Sequence, residues 1–319
     1  MEQPTPKILP PLDWSRWTGW LNKAIVAAFL VLLIGLAFGP QRVAFAYLVG
    51  YMFCLSICFG GFFLVLVHHL FDASWSVPIR RINEHLACLL RWMALAWVPI
   101  GIAAPKYLFS WMTADSTMDH ALHAKLPLFT YAGFYLSALV CFVIWWTIPP
   151  LLRKWSLEQD KTGAAECTYR MRRLTFVGIF LFAMTLTLAA IMWMKGLEHQ
   201  WFSTMYGVYY FAGSVWTTLA TVYMIVMLLQ RQGILKDVIT GNQYYYLGTL
   251  FFAFTVFYSY IHFSQYFIIW NGNIPEETFW YARREVGTWY GICMLLIFFH
   301  FFVPFVSLLR IDVKLNFTK

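Results

Sequence analysis

Between Gly248 and Trp270 the chain carries no charged residue, yet Thr255, Ser259, His262 and Tyr266 recur there at steps of four, three and four. On a helix this spacing places all four on one face, and Tyr258, His262 and Gln265 line up beside them. Hydroxyl, imidazole and amide groups in such a row can hand on protons or hold a polar headgroup. Hydrocarbon offers them no hydrogen-bond partner, so the row is expected to face protein or water. Two readings fit: polar atoms that tie neighbouring helices together, or a path for protons or a quinol headgroup. The helix should end in the turn 271–278, which sets Glu276 and Glu277 side by side.

A second cluster surrounds Ser76-Val77-Pro78, which reads as a helix break and restart. His68, His69, Asp72, Arg80, Arg81, Glu84 and His85 crowd there. They suit either an interfacial cap, with basic residues meeting lipid phosphates, or a polar mouth for protons. Glu84 is expected to share a solvent-accessible cavity with His68 or His69, with Arg80 or Arg81 within ion-pair reach. Arg91 lies two turns beyond Glu84 on the same helical face. It can snorkel to the surface or pair inward with Glu84 or His69 through water. The segment 105–126 holds Asp115, Asp119, His120 and His123. A closed metal site needs a defined set of about four ligands, so this reads as a solvated loop and no metal site is expected. The six cysteines form no C-x-x-C pair and read as small residues packed within the membrane.

These residues must be positioned by membrane helices. The chain has 319 residues, of which 61% are hydrophobic and 12% charged, about half the charged fraction of a soluble domain. Apolar runs predict eight spans, at about 23–39, 43–71, 82–104, 127–151, 173–194, 203–229, 245–270 and 286–309. An aromatic content of 20% fits interfacial belts of Trp and Tyr. Lys and Arg fall mostly on one side of this topology: Lys7, Arg16, Lys23, Arg80, Arg81, the block from Arg153 to Arg173, Arg231, Lys236, Arg310, Lys314 and Lys319. The other side has Arg42, Lys106, Lys125, Lys195, Arg283 and Arg284. The asymmetry predicts both termini in the cytoplasm, in agreement with an even number of spans. No Arg-rich strip suggests nucleic acid, and no P-loop motif occurs. A di-haem cytochrome b needs spaced histidines on facing helices. Here only the adjacent His68 and His69 share a span.

The runs VHHLFDASWSVPIRRINEHL, LEHQWFSTMYGVYYFAGS and LFFAFTVFYSYIHFSQYFIIWNGNIPEET together resemble one family. They look like the ActF subunit of alternative complex III, a quinol:cytochrome c oxidoreductase. That subunit is related to ActC and to the NrfD/PsrC-type membrane anchors. The resemblance covers residues 43–309 in order. It implies an all-α polytopic fold with two helical bundles: residues 1–42 as amino-terminal segment and peripheral helix, 43–151 as first bundle, 152–172 as a polar, flexible cytoplasmic linker, and 173–319 as second bundle. It implies a scaffold and proton conduit in the bacterial inner membrane, with no cofactor bound by this chain. Menaquinone or another quinone, iron–sulfur clusters and c-type haems are expected in the complex. The implied partners are an ActC-like quinol-binding subunit, an iron–sulfur subunit, c-type cytochrome subunits and lipids. The matching stretches contain Thr255, Tyr258, Ser259, His262, Gln265 and Tyr266, and also His68, His69, Arg80, Arg81 and Glu84. Met192 stands before Trp193, where many relatives are expected to have an acid. Relatives are expected to have ten spans, so the second bundle should lack a helix, and its polar row should be covered there by another polypeptide or by more of a longer chain. No tight quinone site is expected wholly within the chain. The alternatives are a stand-alone secondary transporter, which would use helices broken near the bilayer midplane, and the membrane anchor of another NrfD-type quinone-linked oxidoreductase.

Overall fold

The computed structural model describes residues 15–315 apart from 115, 116, 118, 236 and 237, and the side chains from 18 onward. Lys7, the Arg16 side chain, Asp115, Lys236 and Lys319 lie outside the described residues. Every regular element described is helical, and eight helical stretches are long and apolar enough to cross a membrane: Thr18–Phe38, Pro40–Phe71, Ser74–Leu108, Tyr131–Thr162, Ala165–Glu198, Tyr206–Arg231, Gly241–Gly272 and Gly287–Leu309. The protein is an all-α polytopic membrane protein.

The elements follow from local chemistry. Helix α1 (Ser15–Phe38) joins α2 (Pro40–Phe71) through Gly39 and is exposed over nearly all its described length. Pro40 opens α2, where a missing N–H costs nothing, and Asp72 closes it in a left-handed conformation. A 3₁₀ turn at Ser74–Ile79 leads into α3 (Arg80–Cys88) and α4 (Leu90–Ala103), so the Pro78 break is real and falls between α2 and α3. After a π-helical turn at Ala104–Leu108 comes the short α5 (His120–His123). Helix α6 (Tyr131–Thr162) is capped by Thr130, whose hydroxyl accepts from the Gly133 N–H at 3.0 Å. It ends at Gly163, where φ is +66° and only glycine is free of strain. Helix α7 (Ala165–Ala189) begins at once. The expected linker 152–172 is therefore two helix ends joined by a tight turn. Arg80 and Arg81, paired with Asp160, pin it to α3. Further helices are α8 (Tyr206–Arg231), α9 (Gly241–Gly272), α10 (Pro275–Ala282), α11 (Gly287–Leu295), α12 (Val303–Leu309) and α13 (Ile311–Leu315). Thr240 and Gln243 form a capping box at the start of α9, and Asn273 in the left-handed region stops it.

Helix α2 is the central post. One apolar core joins it to α4, α6 and α7, around Phe59, Phe134, Trp145, Phe182 and Trp193. A second joins it to α8 and α9, around Leu64, Val215, Leu219, Val222 and Tyr244. Apolar burial does not drive helices together in lipid, so close packing must. At Gly60 an added Cβ would sit 2.1 Å from Thr218 Oγ1 and 2.6 Å from the Ser214 carbonyl. Thr218 Oγ1 donates to the Ile57 carbonyl at 2.9 Å across the same crossing.

The segment 105–126 is not the solvated loop expected. Leu108, Phe109, Trp111, Met112 and Leu122 from it are buried in the first core. Asp119 accepts from the Leu122 N–H and meets His199 Nε2 at 2.7 Å, so its partner is neither His120 nor His123. Among the described residues no group of three His, Cys, Asp or Glu is placed to hold a metal ion.

Candidate functional site

Helix α9 sets the polar row against α8 and the last span. Thr255 is fully buried. Its hydroxyl accepts from Trp216 Nε1 at 3.0 Å and donates to the Phe251 carbonyl. One turn on, the Tyr258 hydroxyl lies 2.5 Å from the Tyr209 hydroxyl of α8. The rings of His262 and Tyr209 are 5.4 Å apart, and those of Tyr258 and His300 are 4.3 Å apart. His300 also stacks on Trp216 at 3.8 Å, and its Nδ1 is buried without a hydrogen-bond partner. It sits in a π-helical turn, Leu296–Phe302, a geometry that recurs at functional sites. Ser259 and His262 are half-buried and Gln265 is buried. The last span, none of whose own residues is buried, meets the row through His300, while Ser259, His262 and Tyr266 stay half-buried on α9. The exposed flank of α9 carries Tyr260, Phe263 and Phe267 instead.

The row reaches the surface opposite the Lys/Arg-rich end. Tyr266 donates to Glu285 Oε1 at 3.1 Å and its ring meets Tyr281 at 5.1 Å. Burial pushes the Tyr281 hydroxyl above its usual range, against the pull of Gln265 and Arg284. Burial also lowers the pKa of Arg284, whose guanidinium lies over Trp280 at 3.4 Å. Trp280 stacks on Trp201 at 4.6 Å, and Trp201 Nε1 donates to the Glu277 carbonyl. Glu276 and Glu277 form the exposed first turn of α10, where carboxylates suit the helix dipole; they are not beside the row's hydroxyls and imidazoles.

A cavity of about 390 Å³ lies beside this cluster, between α2, α8 and α9. Tyr209, Tyr258, His300, Arg284 and Lys195 give it polar walls, and the exposed Val49 and Phe53 form a lipid-side rim. Its size and few convergent polar groups fall within the range of small-molecule sites. Next to it, Lys195 Nζ donates to the Trp201 carbonyl at 3.1 Å, and Lys125 Nζ donates to the His199 carbonyl. Burial, and then the Lys195 ammonium, lower the Lys125 pKa from its usual 10.5 to about 8.

The second predicted cluster is assembled differently from expectation. Glu84 is 1% exposed. Arg81 Nη1 reaches it at 2.5 Å, Ser156 Oγ donates at 2.6 Å, and Arg80 Nε lies 3.6 Å away. The arginines are within ion-pair reach as predicted, but the carboxylate is sealed from solvent. His68 Nδ1 instead pairs with Ser76 Oγ at 2.7 Å. His69 stacks edge-on against His68, and its Nε2 is buried without a partner. Asp72 is engaged by Arg172 of α7. Among the described residues no ion pair joins Arg91 to Glu84. Arg91 lines a separate cleft with Arg153, Lys154 and Lys161.

Tyr209 and His300 were outside the sequence-predicted row. His300 carried a usable signal, because an ionisable residue at membrane depth is a functional candidate by default. Tyr209 carried none, since its role depends on how α8 is rotated against α9.

Fold and site define a multi-pass integral membrane protein whose helices enclose hydrogen-bonding groups at membrane depth. The chain matches no protein-family model and no curated protein.

Proposed function

We propose that this chain is a membrane subunit of a respiratory quinol:acceptor oxidoreductase of the ActF kind. It acts as a scaffold and carries protons between the surface opposite its Lys/Arg-rich end and the middle of the membrane. On this reading the Lys/Arg-rich end faces the bacterial cytoplasm, and quinone, iron–sulfur and haem chemistry belongs to partner subunits. The observation that carries the proposal is the Tyr209–Tyr258 hydroxyl pair with His262 and His300 beside it. Phenol and imidazole groups can each accept a proton on one side and release one on the other. Glu285 and Tyr266 supply the surface end, and Tyr258, Tyr209 and His300 the inner end, short of Thr255, whose hydroxyl is spent on Trp216 and the Phe251 carbonyl. The Glu84 cluster ties α3 to α6 and lies outside this path.

The test uses the assembly as extracted from its native membrane. Extracted gently, the chain should come with c-type haem absorbance. In vesicles, Tyr258→Phe and His262→Leu should each lower the protons moved per electron at least severalfold, while the haem content stays unchanged. Isolation of the chain without haem partners, or wild-type proton yield in both variants, would refute the reading. A stand-alone transporter would give the first of these results.

The cavity favours a second reading, in which a quinone headgroup docks between Tyr209, His300 and Arg284. Solvent extraction of the purified assembly separates the two. Loss of one quinone per complex in Arg284→Leu supports docking here, and an unchanged quinone content argues against it.

A further inference from the structure

At the Lys/Arg-rich end, well away from the polar row, a cleft of about 600 Å³ opens between α6 and the junction of α3 with α4. That is roughly twenty water volumes. Arg91, Arg153, Lys154 and Lys161 line it, with Glu158 the acid among the lining residues. Three of the cations project from one face of α6, while Arg91 stands opposite on α4. Among the described residues none of the four is in an ion pair. Arg153 has the neutral acceptor His85 Nε2 at 3.3 Å, and Arg91 Nε is buried without a hydrogen-bond partner. Nearby carboxylates are already used, since Glu84 and Asp160 are held by Arg80 and Arg81. Leu157 is an exposed apolar residue of the lining, and the exposed Leu89, Trp92 and Leu95 flank Arg91 along the chain. Pro149 and Pro150 remove two backbone donors from α6 beside the cleft.

We propose that this cleft binds the phosphate headgroup of an anionic phospholipid of the surrounding bilayer. Arginine and lysine together meet phosphate with forked and point-charge donors. Basic pockets between membrane helices at this level suit anionic headgroups. Leu157 and the exposed apolar residues flanking Arg91 give acyl chains a surface that a soluble anion would leave unused. The site is independent of the proton path and of any redox partner.

The full chain, with whatever subunits stay attached, is purified in a neutral detergent. Co-extracted lipids are identified by mass spectrometry. After delipidation, thermal unfolding is followed as phosphatidylglycerol, cardiolipin or phosphatidylcholine is added, and in a separate arm inorganic phosphate. Phosphatidylglycerol or cardiolipin should be retained and should raise Tm where phosphatidylcholine does not. Arg91→Gln with Lys154→Gln should weaken binding about fivefold for each cation removed. Arg170→Gln with Arg173→Gln, at the same end but outside the cleft, should leave it unchanged. If the first pair fails to fold, Lys154→Gln with Lys161→Gln, both at exposed positions, gives the same readout. Equal shifts with phosphatidylcholine, undiminished binding in the cleft variants, or an equal loss in the control pair would overturn the proposal. A shift with inorganic phosphate matching that with lipid would reassign the cleft to a soluble anion.

Discussion

Replacing Arg81 with methionine should destabilise the protein more than replacing Glu84 with glutamine, although the two residues are partners. The carboxylate is the buried member, at 1% exposure against 32% for Arg81. Removing one partner from a fully buried pair costs about 3–5 kcal/mol, mostly because a charge is left uncompensated. In Arg81→Met, Glu84 keeps Ser156 Oγ at 2.6 Å and Arg80 at 3.6 Å, and Arg81 was partly solvated, so about 2 kcal/mol is expected. In Glu84→Gln the arginines keep Asp160 and water, and the amide oxygen still accepts from Ser156. Its cost should be about 1 kcal/mol. The double variant then leaves no buried charge behind, and should cost about 2 rather than about 3 kcal/mol. Reversible unfolding in mixed micelles with increasing SDS, read by circular dichroism, measures all three. Equal costs for the two single variants, or strict additivity, would refute the argument that Glu84 is the charge at risk.

Three further outcomes follow from the packing. Lys125 loses its proton near pH 8 in the fold but keeps it to its usual 10.5 when unfolded. Between these values the unfolded chain binds more protons, so stability rises with pH; Lys125→Met should flatten that rise in thermal scans from pH 7 to 10. Gly60→Ala forces a methyl group against Thr218 and the Ser214 carbonyl. It should cost about 1–3 kcal/mol or more and lower the yield of folded protein in size-exclusion profiles, whereas Gly50→Ala, with nothing within 4 Å, should not. Trp201→Ala removes a fully buried side chain that stacks on Trp280 and donates to Glu277. A loss of about 3–5 kcal/mol, with faster proteolysis between 275 and 286, is expected.

The spans and the inward face of α9 were legible because each rests on a local pattern. Long apolar runs announce helices, and the polar spacing put Thr255, and Gln265 in the line beside it, on the side that proves buried. The misread regions rest on partners far away in sequence. The stretch LEQDKTGAAE looks like linker by polarity, yet on either side of Thr162 and Gly163 it is mostly good helix formers, and Asp160 is held by arginines of α3. Gly163 was the overlooked sign of a helix end. Asp119 read as part of a solvated loop, but its partner His199 lies across the fold. Glu84 could be expected near histidines at the same mouth. Which way its carboxylate turns was decided by Ser156, on a helix that sequence spacing could not place.

The one-sidedness of the polar row bears on what the chain can do alone. Helix α9 has 32 residues, and from Gly272 back to Thr255 it falls roughly 25 Å, about half its length. Beyond Thr255 the inward positions turn apolar, with Phe251, Leu250 and Leu247 before the Tyr244–Gln230 pair near the other end. On the neighbouring stretch of α8, the hydroxyls of Thr217, Thr218 and Thr221 donate to backbone carbonyls. On the proposed reading, a proton admitted at Glu285 and Tyr266 would equilibrate with His262, Tyr258 and His300 from that one surface. A one-sided path of this kind moves no net charge by itself. It becomes useful where another reaction delivers or removes protons at its inner end, as oxidation of a quinol by a neighbouring subunit would. A transporter that alternated its access would instead need its binding groups to open toward both ends in turn. On the proposed reading, the half-length row fits a proton path within a larger redox assembly better than a self-sufficient transporter.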